Sequence, residues 1–118
     1  MNQHDEQIQQ LEAHIEYATR AVELGKALSR LKANRDFQQV FGDGYLRDEA
    51  ARLTQLTGDP NLDDKQRAAV IRSIEAIGEF GGYMRVVERN AEQLGYEREQ
   101  AEEQLDELRA GEQQGDDA

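Results

Sequence analysis

VIRSIEAIGEFGGYMRVVERNAEQLGYEREQAEEQLDEL, residues 70–108, decides the fold. Along it runs a heptad seam: Val70, Ser73, Ile77, Phe80, Met84, Val87, Ala91, Leu94, Arg98, Ala101, Leu105 and Leu108. Ten of those twelve positions are apolar, and only Ser73 and Arg98 depart. A 3-4 repeat sustained this long predicts an α-helix with one greasy edge. Asp63 and Gln66, three apart, form a capping box at its start, so the helix is expected over 63–110. At ~1.5 Å per residue it would be roughly 70 Å long. A chain of 118 residues cannot enclose a helix of that length. Its seam must lie along another helix, in the same chain or in a second one.

Working outward, residues 3–33 read as a second long helix. Ile8, Leu11, Ile15, Ala18 and Val22 follow 3-4-3-4 spacing. Tyr17, Ala21, Leu24, Leu28 and Leu31 make an overlapping stripe. Two stripes imply a face broader than a two-stranded seam, one able to meet two neighbours. Between the long helices the pattern shortens. Asn34 and Asp36 are turn or cap residues. Phe37, Val40 and Phe41 cluster on a short helix, and Gly42-Asp43-Gly44 is expected to break it. Tyr45, Leu46, Ala50, Leu53 and Leu56 outline another, so that short helices span 36–57. Gly58-Asp59-Pro60-Asn61 ends them, with Gly58 suited to a C-terminal cap. Residues 1–110 thus form one helical domain, and 111–118 read as a disordered acidic tail.

The expected fold is all-α: a long helical hairpin, antiparallel and coiled-coil-like, with a small helical head at residues 34–75. A second arrangement, three helices up-down-up with the last one projecting, satisfies the same pattern. The head core is expected at Phe37, Phe41, Tyr45, Leu53 and Phe80. Val87, Leu94, Leu105, Leu108, Ile8, Leu11 and Ile15 are the expected contact residues of the seams.

Composition narrows the function. Mean hydropathy is −0.90 and the chain is 37% hydrophobic, too polar for a thick core. No run approaches the ~18 apolar residues of a membrane span. No basic-then-apolar leader opens the chain, so a secretory signal is not expected. Cysteine is absent, which excludes disulfides and thiolate metal sites. The net charge of −11 disfavours a direct grip on nucleic acid. That charge is uneven: residues 92–118 hold ten acids against Arg98 and Arg109. The one basic cluster, Lys26, Arg30, Lys32 and Arg35, sits near a helix C-terminus, where cations suit the dipole. It is also placed to dock on an acidic surface.

No catalytic set is evident, and neither a cofactor nor a metal is expected. His4 and His14 are ten apart, not the three or four of a helical metal pair, and are read as solvent-exposed. Asp59-Pro60-Asn61-Leu62-Asp63-Asp64 starts like a calcium loop, but Asp64 and Val70 stand where Gly and Glu are needed. Gly42-Asp43-Gly44 lacks the Lys and Ser/Thr of a phosphate loop. Gly78, Gly81 and Gly82 weaken the long helix unless something packs closely over them.

Several strings, in order, carry a resemblance. They are Asn34-Arg35-Asp36-Phe37-Gln38-Gln39-Val40, Gly44-Tyr45-Leu46-Arg47-Asp48-Glu49-Ala50-Ala51-Arg52-Leu53, Gly58-Asp59-Pro60, Ile74-Glu75-Ala76-Ile77-Gly78, and an acidic coil ending Glu107-Leu108-Arg109. Over residues 8–110 the chain resembles a family of small, largely uncharacterised helical proteins of tailed bacteriophages and prophages, often encoded near head and packaging genes. These motifs are apolar and turn residues, so they speak to fold more than to activity. The resemblance implies a viral protein acting in the host bacterium's cytoplasm or in the virion, and the leading expectation is a non-enzymatic structural or assembly protein acting through helix-mediated self-association or docking. Its implied partners are copies of itself or other phage head or tail proteins. The alternative is an acidic inhibitor of a host nucleic-acid enzyme or defence system, its acidic arm filling a basic groove.

Overall fold

The computed structural model describes residues 2–116, with side chains placed through Gly111. Helix α1 runs Gln3–Ala33, α2 is the single turn Arg35–Phe37, a π-helix spans Gln38–Glu49, α3 is Ala50–Leu56, and α4 runs Asp64–Asp116. No strand occurs among the described residues. The fold is all-α, a long helical hairpin.

The chain divides into two compact units. The first joins residues 1–26 to 87–118. Here α1 and α4 run antiparallel, with Val22 over Gly95, Thr19 beside Arg98 and Glu12 beside Arg109. Ala18, Val87, Ala101 and Leu105 are buried. Ile8, Leu11, Ile15, Val22, Leu94 and Leu108 are half-buried. The helices pack tightly at Gly25. A Cβ placed there would stand 2.3 Å from the Ala91 Cβ, so only glycine lets the two backbones approach this closely. A glycine inside a helix costs about 1 kcal/mol against alanine. Close packing on both sides of the crossing offsets that.

The second unit is residues 27–86, wider than the head expected at 34–75. Leu28 of α1 and Ile77 and Met84 of α4 are buried in it together with Leu53 of α3, because the short helices alone have too few apolar side chains to close a core. Asn34 caps the start of α2, its Oδ1 accepting from the Phe37 N–H at 3.0 Å. At the start of α4, the Gln66 N–H donates to Asp63 Oδ1 at 2.7 Å and the Asp63 N–H donates to Gln66 Oε1 at 3.0 Å. That is the reciprocal box the sequence implies. Arg67 ties the ends of α3 and α4 together by donating to the carbonyls of Thr57 and Asp59.

Four expectations need correction. Gly42-Asp43-Gly44 does not break the chain into two short helices. The backbone passes through it as a π-helix, whose wider turn glycine accommodates. A Cβ on Gly44 would press to 3.1 Å on the Gln39 carbonyl, five residues back. Gly58 is not a left-handed cap: no described glycine has positive φ. Instead α3 unwinds through successive i→i−3 bonds from Thr57, Gly58 and Asp59. Helix α4 does not stop at 110 but reaches Asp116, so a disordered tail from 111 is not what the structure has. Gln and Glu there are good helix formers. Residues 117 and 118 lie outside the described ones. Finally, Gly78 meets nothing within 4 Å, so the close approach sought at the three glycines of α4 occurs at Gly25 instead. Gly81 makes only ordinary contact with Leu46 and Arg85.

The same substitution should therefore have opposite signs at two sites. Gly78→Ala should raise stability by up to about 1 kcal/mol in urea unfolding. Gly25→Ala should lower it by about 1–2 kcal/mol despite its better propensity, because overlap outweighs the gain. Adding Ala91→Gly should restore most of the loss.

Candidate interaction surface

The seam residues are covered by the chain's own helices. Val87 and Leu105 are buried, and Leu94, Leu108, Ile8, Leu11 and Ile15 are half-buried. Of the twelve seam positions on α4, Ser73 alone is exposed, and Ile74 takes the covered place beside it. A straight helix drifts about 20° per heptad against a 3.5-residue repeat, so the apolar edge shifts by one position along its length.

Arg98 sits on this seam and survives there by reaching out. Its guanidinium lies 3.4 Å from Thr19 Oγ1 and 3.9 Å from Glu102. His14 is not simply solvent-exposed: it is half-buried with Nε2 3.7 Å from Glu97 Oε2. Arg109 bridges Glu12 at 2.9 Å. These cross-helix pairs flank the apolar edge and fix its alignment, which apolar contacts alone do weakly. Nothing in the spacing of single charges marks them, since each depends on which residues of the other helix stand opposite.

In the second unit the expected head core comes together. The Phe41 and Phe80 rings stack at 5.6 Å, and Tyr45 meets Phe80 edge-on at 5.8 Å. Phe37 lies 5.3 Å from Phe41. Leu53 is buried. Tyr83 stands apart from this cluster and is 61% exposed. The four-residue steps from Phe37 to Phe41 to Tyr45 keep their rings on one side of the wide helix. Phe80 on α4 fills the gap between two of them.

Outside the cores, large apolar side chains face water: Tyr17, Leu24 and Leu31 on α1, Val40 on the π-helix, and Ile71, Tyr83, Val86 and Tyr96 on α4, while Phe41 keeps one edge of its ring exposed within the head cluster. The second stripe of α1 thus divides, with Leu28 buried and Tyr17, Leu24 and Leu31 uncovered. Polar chemistry is sparse beside this. Among the described residues no group of three His, Asp or Glu is placed to hold a metal. The Asp59 carboxylate accepts from the Asn61 N–H at 2.9 Å, shaping a turn rather than an ion site. Shallow depressions among the described residues of the first unit include ones of about 420 and 390 Å³. One is lined by Gln7, Gln10, Leu11 and Gln104, the other by Arg89, Glu92, Gln93 and Tyr96. Neither sets a nucleophile beside a base.

Exposed ion pairs edge the π-helix. Arg47 reaches Asp43 at 3.5 Å and Asp48 at 3.0 Å, and these acids hold its guanidinium above the ordinary range. Arg52 Nε donates to Glu49 at 2.9 Å. Hydrogen bonding from Arg52 holds the Glu49 carboxyl below the usual range, against a smaller opposing effect of desolvation.

No family model, curated protein or solved structure matches this chain.

Two outcomes follow. Phe80→Ala should destabilise by about 2–3 kcal/mol in thermal unfolding, whereas Tyr83→Ala should change little, within about 0.5 kcal/mol. Because the folded state lowers the Glu49 pKa, its contribution is present above the unfolded value of about 4.3 and is lost as pH falls through the folded value. Glu49→Gln should therefore be weakly destabilising at neutral pH and indistinguishable from the parent in strong acid.

Proposed function

We propose that this chain is a non-enzymatic docking protein of a tailed bacteriophage, joining or assembling parts of the particle through its helix faces. The reading rests above all on the exposed apolar side chains. The hairpin closes its own seam, yet Tyr17, Leu24, Leu31, Val40, Ile71, Tyr83, Val86 and Tyr96 stay open along ordered helices. Surfaces of that kind are matched by other proteins. The resemblance of residues 8–110 to phage helical proteins supplies the setting, the infected bacterium's cytoplasm or the virion. Its partners are copies of itself or phage head and tail proteins. Among the described residues no helix is long and apolar enough to cross a membrane.

One observation favours a second reading. Glu92, Glu99, Glu102, Glu103, Asp106 and Glu107 are all exposed on α4, while the two bases among them, Arg98 and Arg109, are engaged with neighbours. Such an acidic row suits a basic groove on a host nucleic-acid enzyme.

Mass spectrometry of purified particles separates the two. The docking reading expects peptides of this chain at a fixed ratio to a head or tail protein. Absence from particles, together with salt-sensitive capture of a basic host nuclease or polymerase, would replace it with the inhibitor reading.

A further inference from the structure

The uncovered stripe of α1 is a second, complete heptad seam. Tyr17, Leu24 and Leu31 recur every seven residues, with Ala13 before them and Arg20 and Ala27 between them at 3-4 spacing. Tyr17 is 56% exposed, Leu24 50% and Leu31 48%, while the opposite side of the helix carries buried Ala18 and half-buried Ile15 and Val22. Helix α1 thus has two greasy edges, and the hairpin uses one.

The charge along α1 says what suits the other. Residues 3–16 carry Asp5, Glu6, Glu12 and Glu16 and no Lys or Arg. Residues 17–33 carry Arg20, Lys26, Arg30 and Lys32 against Glu23 alone. A parallel copy would set acid against acid and base against base. An antiparallel copy can instead bring Glu12 and Glu16 of each near Arg30 and Lys32 of the other, and the helix dipoles oppose as well.

Side-chain size then selects the register. When residues whose numbers sum to 44 face each other, Tyr17 lies over the second copy's Ala27, Leu31 over its Ala13, and Leu24 over the alkyl stem of its Arg20. Each large residue meets a small or slender one, and the pattern repeats by two-fold symmetry. Glu16 falls near the second copy's Arg30 on both sides. Glu23 meets its own symmetry mate, but it is already bridged to Lys26 at 3.4 Å within its chain.

We infer that the Tyr17–Leu24–Leu31 stripe is the contact surface of an antiparallel, two-fold homodimer of this chain. The inference rests on the docking reading in taking helix faces as the working surface. It adds the partner, the orientation and the register. The helix is already formed in the hairpin, so association does not have to meet the cost of nucleating it.

Analytical ultracentrifugation of the full chain tests this. The expected mass is twice 13.4 kDa. Leu24→Asp should halve it while leaving the helicity of the hairpin unchanged and making its melting independent of concentration. Orientation has its own readout because the chain lacks cysteine. An oxidised mixture of Tyr17→Cys and Ala27→Cys chains should give a crossed covalent dimer, and neither variant alone should. A dimer that survives Leu24→Asp, or Tyr17→Cys chains that cross-link to one another, overturns the inference while self-association stands. A monomer at every concentration also overturns it. The docking reading would then stand or fall separately on whether the protein is found in the particle.

Discussion

The contact at Gly25 and Ala91 is the constraint on which the first unit depends. Removing one side chain at that point brings the backbones of α1 and α4 close enough for neighbours on either side to meet. Val22 packs over Gly95, where an added Cβ would meet its methyl group at 3.5 Å, and Ala18, Ala101 and Leu105 are buried. Dispersion falls off steeply with separation, so a small opening at the crossing would weaken these contacts together. Small residues here do what large ones do in thicker cores: they let a thin protein bury enough of itself.

The second unit meets a different difficulty. Its short helices cannot enclose a core, and it solves this with aromatic rings. The π-helix sets Phe37, Phe41 and Tyr45 on one side, and α4 contributes Phe80 between them. The π-helix in turn depends on glycine, since a side chain at Gly44 would crowd the carbonyl five residues back. The capping pair Asp63–Gln66 and the Arg67 clamp on α3 then fix where the long helix begins.

Most of this organisation was legible in residue spacing. The heptad seam of 70–108, the capping box and the aromatic head are local patterns with local causes. What escaped depended on partners distant in sequence. Gly25 is one glycine in a run of helix formers, and only the presence of Ala91 opposite explains it. The glycines at 78, 81 and 82 were the more visible group, yet Gly78 faces open space. Gly42 and Gly44 read as a break because glycine more often ends a helix than widens one. The overlapping stripes of α1 implied one broad face, able to meet two neighbours. The structure buries Leu28 and leaves Tyr17, Leu24 and Leu31 about half exposed. Function is less legible because no chemistry is concentrated at one place: apolar edges and exposed carboxylates describe how a protein docks without naming what it docks to.

The central claim is that the greasy ridge of α4 is sheltered by α1 of the same chain. An isotope-diluted NOE experiment addresses it directly, using labelled protein in a large excess of unlabelled chains. The account predicts a cross-peak between the Val22 methyl group and the Gly95 Hα protons whose intensity per labelled molecule does not change on dilution. Loss of that cross-peak as unlabelled chains are added would show that the covering helix comes from another molecule, and would contradict the account.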